Sequence, residues 1–214
     1  MKQEQRSRKT RRKISNAALR LFSHGGLGGS SVQDIADYAG ISKANIYHHF
    51  PDKETIFRAL LDDFFRTLSS PDFPVNRVLA SGAFPENLEE IAFAVRAMVR
   101  DYREQIALVY VDVAELGAAH IRWFYEEMAA RFTAFLEAEG EKSLQAKLAD
   151  DLSPTTAVIL ATRIFLNYFV VEILFGVKEH YGKGTDDVIR EITTVLRHGM
   201  LRKVVRPTHK PAGT

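Results

Sequence analysis

Apolar side chains recur along most of this chain at spacings of three and four, the pattern of amphipathic helices. The first stripe is Ile14, Ala17, Ala18, Leu21 and Phe22, which predicts a helix from near Thr10 to His24 after a frayed, polar start over residues 2–13. Gly25, Gly26, Gly28 and Gly29 end it. A glycine-rich loop can cradle phosphate, but this one follows a helix with no strand before it, which argues against a nucleotide site. Ser31-x-x-Asp34 then matches a capping box, with Val32, Ile35, Ala36 and Ala39 as the buried face behind it. Gly40 stands where a helix ends in a left-handed residue. Ser42 caps a second short helix bearing Ile46, Tyr47 and Phe50, and Pro51 forbids simple continuation. Asp52 caps a longer one, striped by Ile56, Leu60, Leu61, Phe64, Phe65 and Leu68.

Residues 69–87 carry three prolines and read as a loop. From Glu86 the chain reads as helical. One stripe is Leu88, Ile91, Ala92, Val95, Met98 and Val99, and a second is Ile106, Val109, Tyr110 and Val113. A third is Ile121, Phe124, Met128, Phe132, Phe135 and Leu136. Residues 137–152 read as a polar loop around Gly140 that holds a short helix. Ser153-Pro154 marks a helix start, and that helix is predicted to run to about Lys178, apolar on nearly every side between Ile164 and Phe175. A membrane span is the rival reading of it. The run is short and contains Asn167 and Glu172, so a buried helix is preferred and no membrane partner is expected. The last helix starts near Thr185, with acidic residues in its first turn. It presents Val188, Ile189, Ile192, Val195, Leu196 and Met200, and Arg197, His198, Arg202 and Lys203 suit its C-terminal end. The fold class is therefore all-α.

Composition adds a direction. Hydrophobic residues make up 46% and charged residues 26%, enough apolar material for a real core. Residues 1–53 hold ten Lys or Arg against four Asp or Glu, a net charge of +6, while the remainder is −4. A basic N-terminal quarter on a mildly acidic body suggests a polyanionic partner for the first part alone, a solvated basic tail being the plainer alternative. With no Cys there are no disulfides or thiolate metal sites, which fits a reducing, cytoplasmic setting.

Two short helices around a glycine match a helix-turn-helix unit. The run from Gly29 to Glu54 resembles the DNA-binding domain of TetR-type transcriptional repressors. The matching pieces are Ser31, Asp34-Ile35-Ala36, Ala39-Gly40-Ile41-Ser42-Lys43, Ile46-Tyr47-His48-His49-Phe50 and Asp52-Lys53-Glu54; Ala17-Ala18-Leu19 with Leu21-Phe22 resembles the family's first helix. The resemblance is specific over residues 10–60. It implies a three-helix DNA-binding domain at 1–54 and a larger helical effector-binding and dimerisation domain at 55–206; the terminal stretch from Pro207, residues 207–214, is by itself expected to be a disordered tail. It also implies that Lys43, Ala44 and Asn45, with Gln33 from the preceding helix, face base edges, and that Ser31, Tyr47, His48 and Lys53 meet phosphates. The chemistry permits this, since Lys donates to guanine acceptors and an Asn amide pairs with adenine. His49 and Phe50 are candidates for the core instead.

One reading helix covers few bases, so a homodimer on a palindromic double-stranded operator is expected, joined through the last two helices. Aromatic residues crowd the body and suit an apolar pocket for a small apolar or aromatic effector, although each taken singly fits a core position. The candidates are Phe65, Tyr110, Trp123, Phe124, Phe165, Asn167, Tyr168 and Glu172. Asn167 and Glu172 would there bond a ligand, or else pair across the dimer. No HExxH, P-loop or nucleophile elbow is present, and adjacent His48 and His49 point apart on a helix. Neither an enzyme nor a cofactor or metal is expected.

Overall fold

The computed structural model describes residues 2–81, 83–139 and 144–200, and among these the architecture is all-α, without β-strands. Helix α1 spans Lys2–Gly25, beginning well before Thr10. Lys, Gln, Glu and Arg are good helix formers, and Arg8 pairs with Glu4 one turn away at 2.8 Å, so the polar start is helical without an apolar stripe. Ile14, Ala17, Ala18 and Phe22 are buried as the spacing predicted.

Helices α2 (Val32–Ala39), α3 (Lys43–His49) and α4 (Lys53–Leu68) begin at the expected caps. The Ser31 hydroxyl accepts from the Asp34 amide at 3.1 Å, and the Asp34 carboxylate accepts from the Ser31 amide at 2.8 Å. Ser42 accepts from the Asn45 amide at 3.3 Å, and Asp52 from the Thr55 amide at 2.7 Å. Gly40, at φ 65°, closes α2, with the Ile41 amide reaching back to the Ala36 carbonyl at 3.0 Å. Phe22 of α1 meets Phe57 of α4 edge to face, 5.8 Å between ring centres.

Residues 69–87 are not simply a loop. Pro74, at the first helical position, opens the short helix α5 (Pro74–Leu79), and Val75 and Leu79 bury its inner face. Helices α6 (Leu88–Asp101), α7 (Arg103–Leu116), α8 (Ile121–Glu139), α9 (Pro154–Phe169) and α10 (Thr185–Met200) follow. Central α6 packs against α5, α9 and α10, while α7 packs against α1 and α4.

Three expectations shift here. On α7 the buried positions are Ile106, Leu108 and Asp112, with Tyr110 and Val113 facing solvent. This helix is wedged between α6 and the N-terminal helices, so it buries a different face from the stripe read in sequence. Helix α9 stops short of Lys178: a π-helical turn at Val170–Leu174 follows it, and Gly176 turns the chain at φ 74°. Pro154–Leu174 is long and apolar enough to cross a membrane by length and composition, yet Ala157, Val158, Ala161 and Phe165 of this segment are buried in the helical body. Between α8 and α9 the polar stretch contributes the buried Leu148, and the Ala149 amide donates to the Met200 carbonyl at 2.7 Å. The side chains of Phe135 and Leu136, together with Arg202, Lys203 and the tail from Pro207, lie outside the described residues.

Candidate nucleic-acid interface and effector cavity

With seven residues, α3 is too short to be stable alone, so its neighbours must hold it. Ile46 and Phe50 anchor it in the core. Arg11 of α1 donates to the His49 carbonyl at 3.2 Å, and its guanidinium lies 4.1 Å above the Phe50 ring centre. Part of the basic N-terminal run is thus a clamp on the end of α3. His49 is half-buried, and burial, then the nearby His48 and Arg11 charges, hold its imidazole below the ordinary His range. His49 therefore favours the neutral form, as suits a ring turned inward.

The other face of α3 points out. Lys43, Ala44, Tyr47 and His48 are exposed and Asn45 is half-buried. The side chains of Lys43, Asn45 and Tyr47 make no hydrogen bond or ion pair among the described residues. Gln33 is exposed on α2 and donates to Asp37 at 2.8 Å. The Ser31 hydroxyl is engaged twice by Asp34, so a phosphate there would compete with the capping box. Lys53 is set apart from the α3 face. Its ammonium donates to the Leu27 and Ser30 carbonyls at 2.8 and 3.2 Å, bracing the loop after α1 and leaving one donor free.

That glycine loop does cradle an anion, and the anion is the protein's own. The Glu115 carboxylate of α7 accepts from the Leu27 amide at 3.1 Å and the Gly28 amide at 2.6 Å. Gly26 has φ 74°, and a Cβ there would lie 2.2 Å from a Glu115 carboxylate oxygen. The same helix contributes Glu104, which pairs with Arg20 of α1. One turn before Glu115, buried Asp112 accepts from the His120 and Ile121 amides at 3.1 and 3.0 Å and from the His120 ring at 2.7 Å, capping α8 from outside. His120 in turn meets Phe57 edge to face at 6.2 Å, so α7, α8 and α4 are joined at one point.

A cavity of about 380 Å³ lies in the helical body, between the end of α4, α5, α6, α8 and α9. Leu68, Phe73, Val95, Met98 and Phe124 are among its walls. Of the eight pocket candidates, Phe124 alone lines it. Phe65 stacks on Phe124 from behind, 4.6 Å between ring centres. Phe165 and Tyr168 are core residues, at 0% and 1% exposure, whereas Tyr110 and Trp123 face outward at 47% and 49%. Asn167 is exposed on α9, and Glu172 accepts from the Thr185 hydroxyl. Burial pushes the Tyr168 phenol up, as befits a ring packed against His180 and Tyr181. Helical spacing names a face, and whether that face meets a void, a neighbour or solvent depends on partners remote in sequence.

Residues 14–60 match the profile of bacterial regulatory proteins of the tetR family. Over these residues the chain is similar to the DNA-binding domain of the tetR family. Over 119 residues it is 44% identical to the HTH-type transcriptional repressor KstR2 of Rhodococcus jostii (strain RHA1), a match covering 54% of this chain and 55% of that protein. The chain spans about half the length of the curated relatives it matches first. The structure of the ketosteroid transcriptional regulator KstR2 of Mycobacterium tuberculosis is similar with a TM-score of 0.58 at 21% identity, over 90% of this chain and 95% of that one. AibR in complex with isovaleryl coenzyme A and operator DNA is similar with a TM-score of 0.59 at 18% identity, over 87% and 97% of the two chains. At these identities the structures show a shared fold.

The helix-turn-helix carries a local sequence signal, whereas Glu115 and Arg163 are not among the candidates that helical spacing offers. A lone Arg among the apolar residues of α9 was a signal for Arg163, which borders the cavity. Glu115 gave no local signal, because the amides it caps lie 87 and 88 positions away.

Proposed function

We propose that this chain is a ligand-responsive transcriptional repressor that binds a palindromic DNA operator as a homodimer. The observation that carries the reading is the outer face of α3. A helix anchored by Ile46, Phe50 and Arg11 presents Lys43, Ala44, Tyr47 and His48 to solvent with Asn45 at their edge, and the side chains of Lys43, Asn45 and Tyr47 have no hydrogen-bond partner among the described residues. Such groups suit the edges of bases and the phosphates beside them. Residues 1–54 form the reading head, and residues 55–206 carry the effector site and the dimer contacts. Exposed apolar side chains on and after α9 and on α10 (Leu160, Ile164, Phe175, Val177 and Val195, the last 70% exposed) support a partner copy on that face. The repressor KstR2 and the AibR complex with operator DNA and isovaleryl coenzyme A support the general class.

An effector in the cavity would touch Leu68 at the end of α4, the helix whose start carries Lys53 and the braced glycine loop. An occupant that favours one position of α4 would shift the population of dimers able to reach both half-sites. Selecting binding sites from random DNA with the purified chain tests the function. An enriched palindrome, with half-sites about one helical turn apart, is expected; enrichment of no sequence would overturn the reading.

A further inference from the structure

The cavity's polar lining limits what the effector can be, given the reading above of this cavity as the effector site. Its walls are mostly aliphatic, aromatic and thioether groups, and among the described residues no lining side chain is acidic. Three polar side chains border it with their donors already engaged. Ser69 donates to the Phe65 carbonyl at 2.7 Å. Both amide hydrogens of Asn76 serve the Leu68 and Ser70 carbonyls, each at 2.8 Å. The Thr162 hydroxyl is shared between the Val158 and Ile159 carbonyls at 2.9 and 3.1 Å. None of the three has a hydrogen left for a ligand.

Arg163 and Tyr125 differ. The Arg163 guanidinium lies 4.8 Å over the Tyr125 ring centre, and both residues line the cavity. Neither side chain makes a hydrogen bond or ion pair among the described residues. A guanidinium held over a ring in this way forms no hydrogen bond to it, so its N–H groups stay available for bidentate recognition. Among the described residues, the free donors and the one charge of the lining therefore sit together beside an apolar volume.

We propose that the effector is an amphipathic anion, whose apolar body fills the cavity and whose carboxylate or phosphate head is held by Arg163 with the Tyr125 hydroxyl. A neutral apolar molecule would fill the volume and gain nothing from the guanidinium. An ammonium-bearing one would meet a like charge with no carboxylate to receive it.

Binding of decanoate, decyl phosphate, decanol and decylammonium to the full-length chain tests this, by calorimetry and by thermal shift. At least one anionic probe is expected to bind roughly tenfold or more tighter than decanol, the range of hydrogen bonds to charged groups, and decylammonium weakest. Whether decanoate or decyl phosphate is preferred identifies the head. Arg163→Gln should erase the preference while leaving decanol binding unchanged, and Arg163→Lys should keep part of it. Arg163 is exposed, so neither change should disturb folding, and an unchanged melting temperature without ligand checks this. If decanol matches both anions, or if Arg163→Gln binds them as wild type does, the anionic head is overturned and the cavity remains an effector site. If none of the four probes binds, the reading of the cavity as the effector site falls and the proposal with it.

Discussion

Replacing Glu115 by alanine removes a side chain by which α7 holds the glycine loop after α1. The carboxylate accepts from two backbone amides, at 3.1 and 2.6 Å, on a loop that Lys53 braces from below. Hydrogen bonds to a charged group contribute more than neutral ones, but Glu115 is exposed and water can replace it, so the pair is worth about 1–2 kcal/mol. For a chain of this size that lowers the melting temperature by about 2–8 °C. Gly26→Ala should cost more. Its backbone is left-handed at φ 74°, which disfavours alanine by about 1 kcal/mol. Its methyl would also come 2.2 Å from a Glu115 oxygen and displace the carboxylate. In the Gly26→Ala background, then, Glu115→Ala has little left to remove. The double variant should be no less stable than Gly26→Ala alone, a coupling of about 1–2 kcal/mol in a double-mutant cycle read by urea denaturation. Costs that add to within about 0.3 kcal/mol would refute the cradle as the link between α7 and the loop.

Other expectations follow from the same contacts. Arg11→Ala should lose both the His49 carbonyl bond and the stacking on Phe50, about 1 kcal/mol, and hydrogen exchange should show α3 amides deprotected before those of α6. The Asp34 and Asp52 carboxyls lie below the ordinary Asp range because they accept hydrogen bonds at the starts of α2 and α4, chiefly from Ser31 and Thr55. A lowered folded-state pKa stabilises above the unfolded value and is lost as pH falls through the folded one. The head should therefore loosen in acid below the ordinary Asp range, and Asp34→Asn with Asp52→Asn should flatten that dependence in a series of thermal melts. Ile164→Glu, on the exposed side of α9, should yield monomers by light scattering without unfolding the chain, since its side chain is not in the core.

The features legible in sequence were those whose partners lie within a turn. Ser31 with Asp34, Ser42 with the Asn45 amide, Asp52 with the Thr55 amide and Ser153 before Pro154 are all pairings of near neighbours. Buried stripes on α1, α4 and α6 were legible for the same reason, since each helix has one dominant inner face. What escaped was tertiary. Asp112 is a buried cap for α8 whose partners lie eight and nine positions away. The aromatic set mixes Phe165, sealed in the core, with Trp123 on the outside, although spacing treats them alike. The basic run before Thr10 was readable as charge, and its helical continuation to Lys2 rests on propensity and one ion pair rather than on any stripe.

The central claim is that α3 reads DNA. Its most direct test is the affinity of Lys43→Ala and Tyr47→Ala for an operator selected by the wild-type chain, measured over a range of salt concentrations. Loss of a base-edge contact at Lys43 should weaken specific binding roughly tenfold to hundredfold and relax selectivity at one position. Loss of a phosphate contact at Tyr47 should weaken binding to all sequences alike. Unchanged affinity and selectivity in both variants would contradict the account.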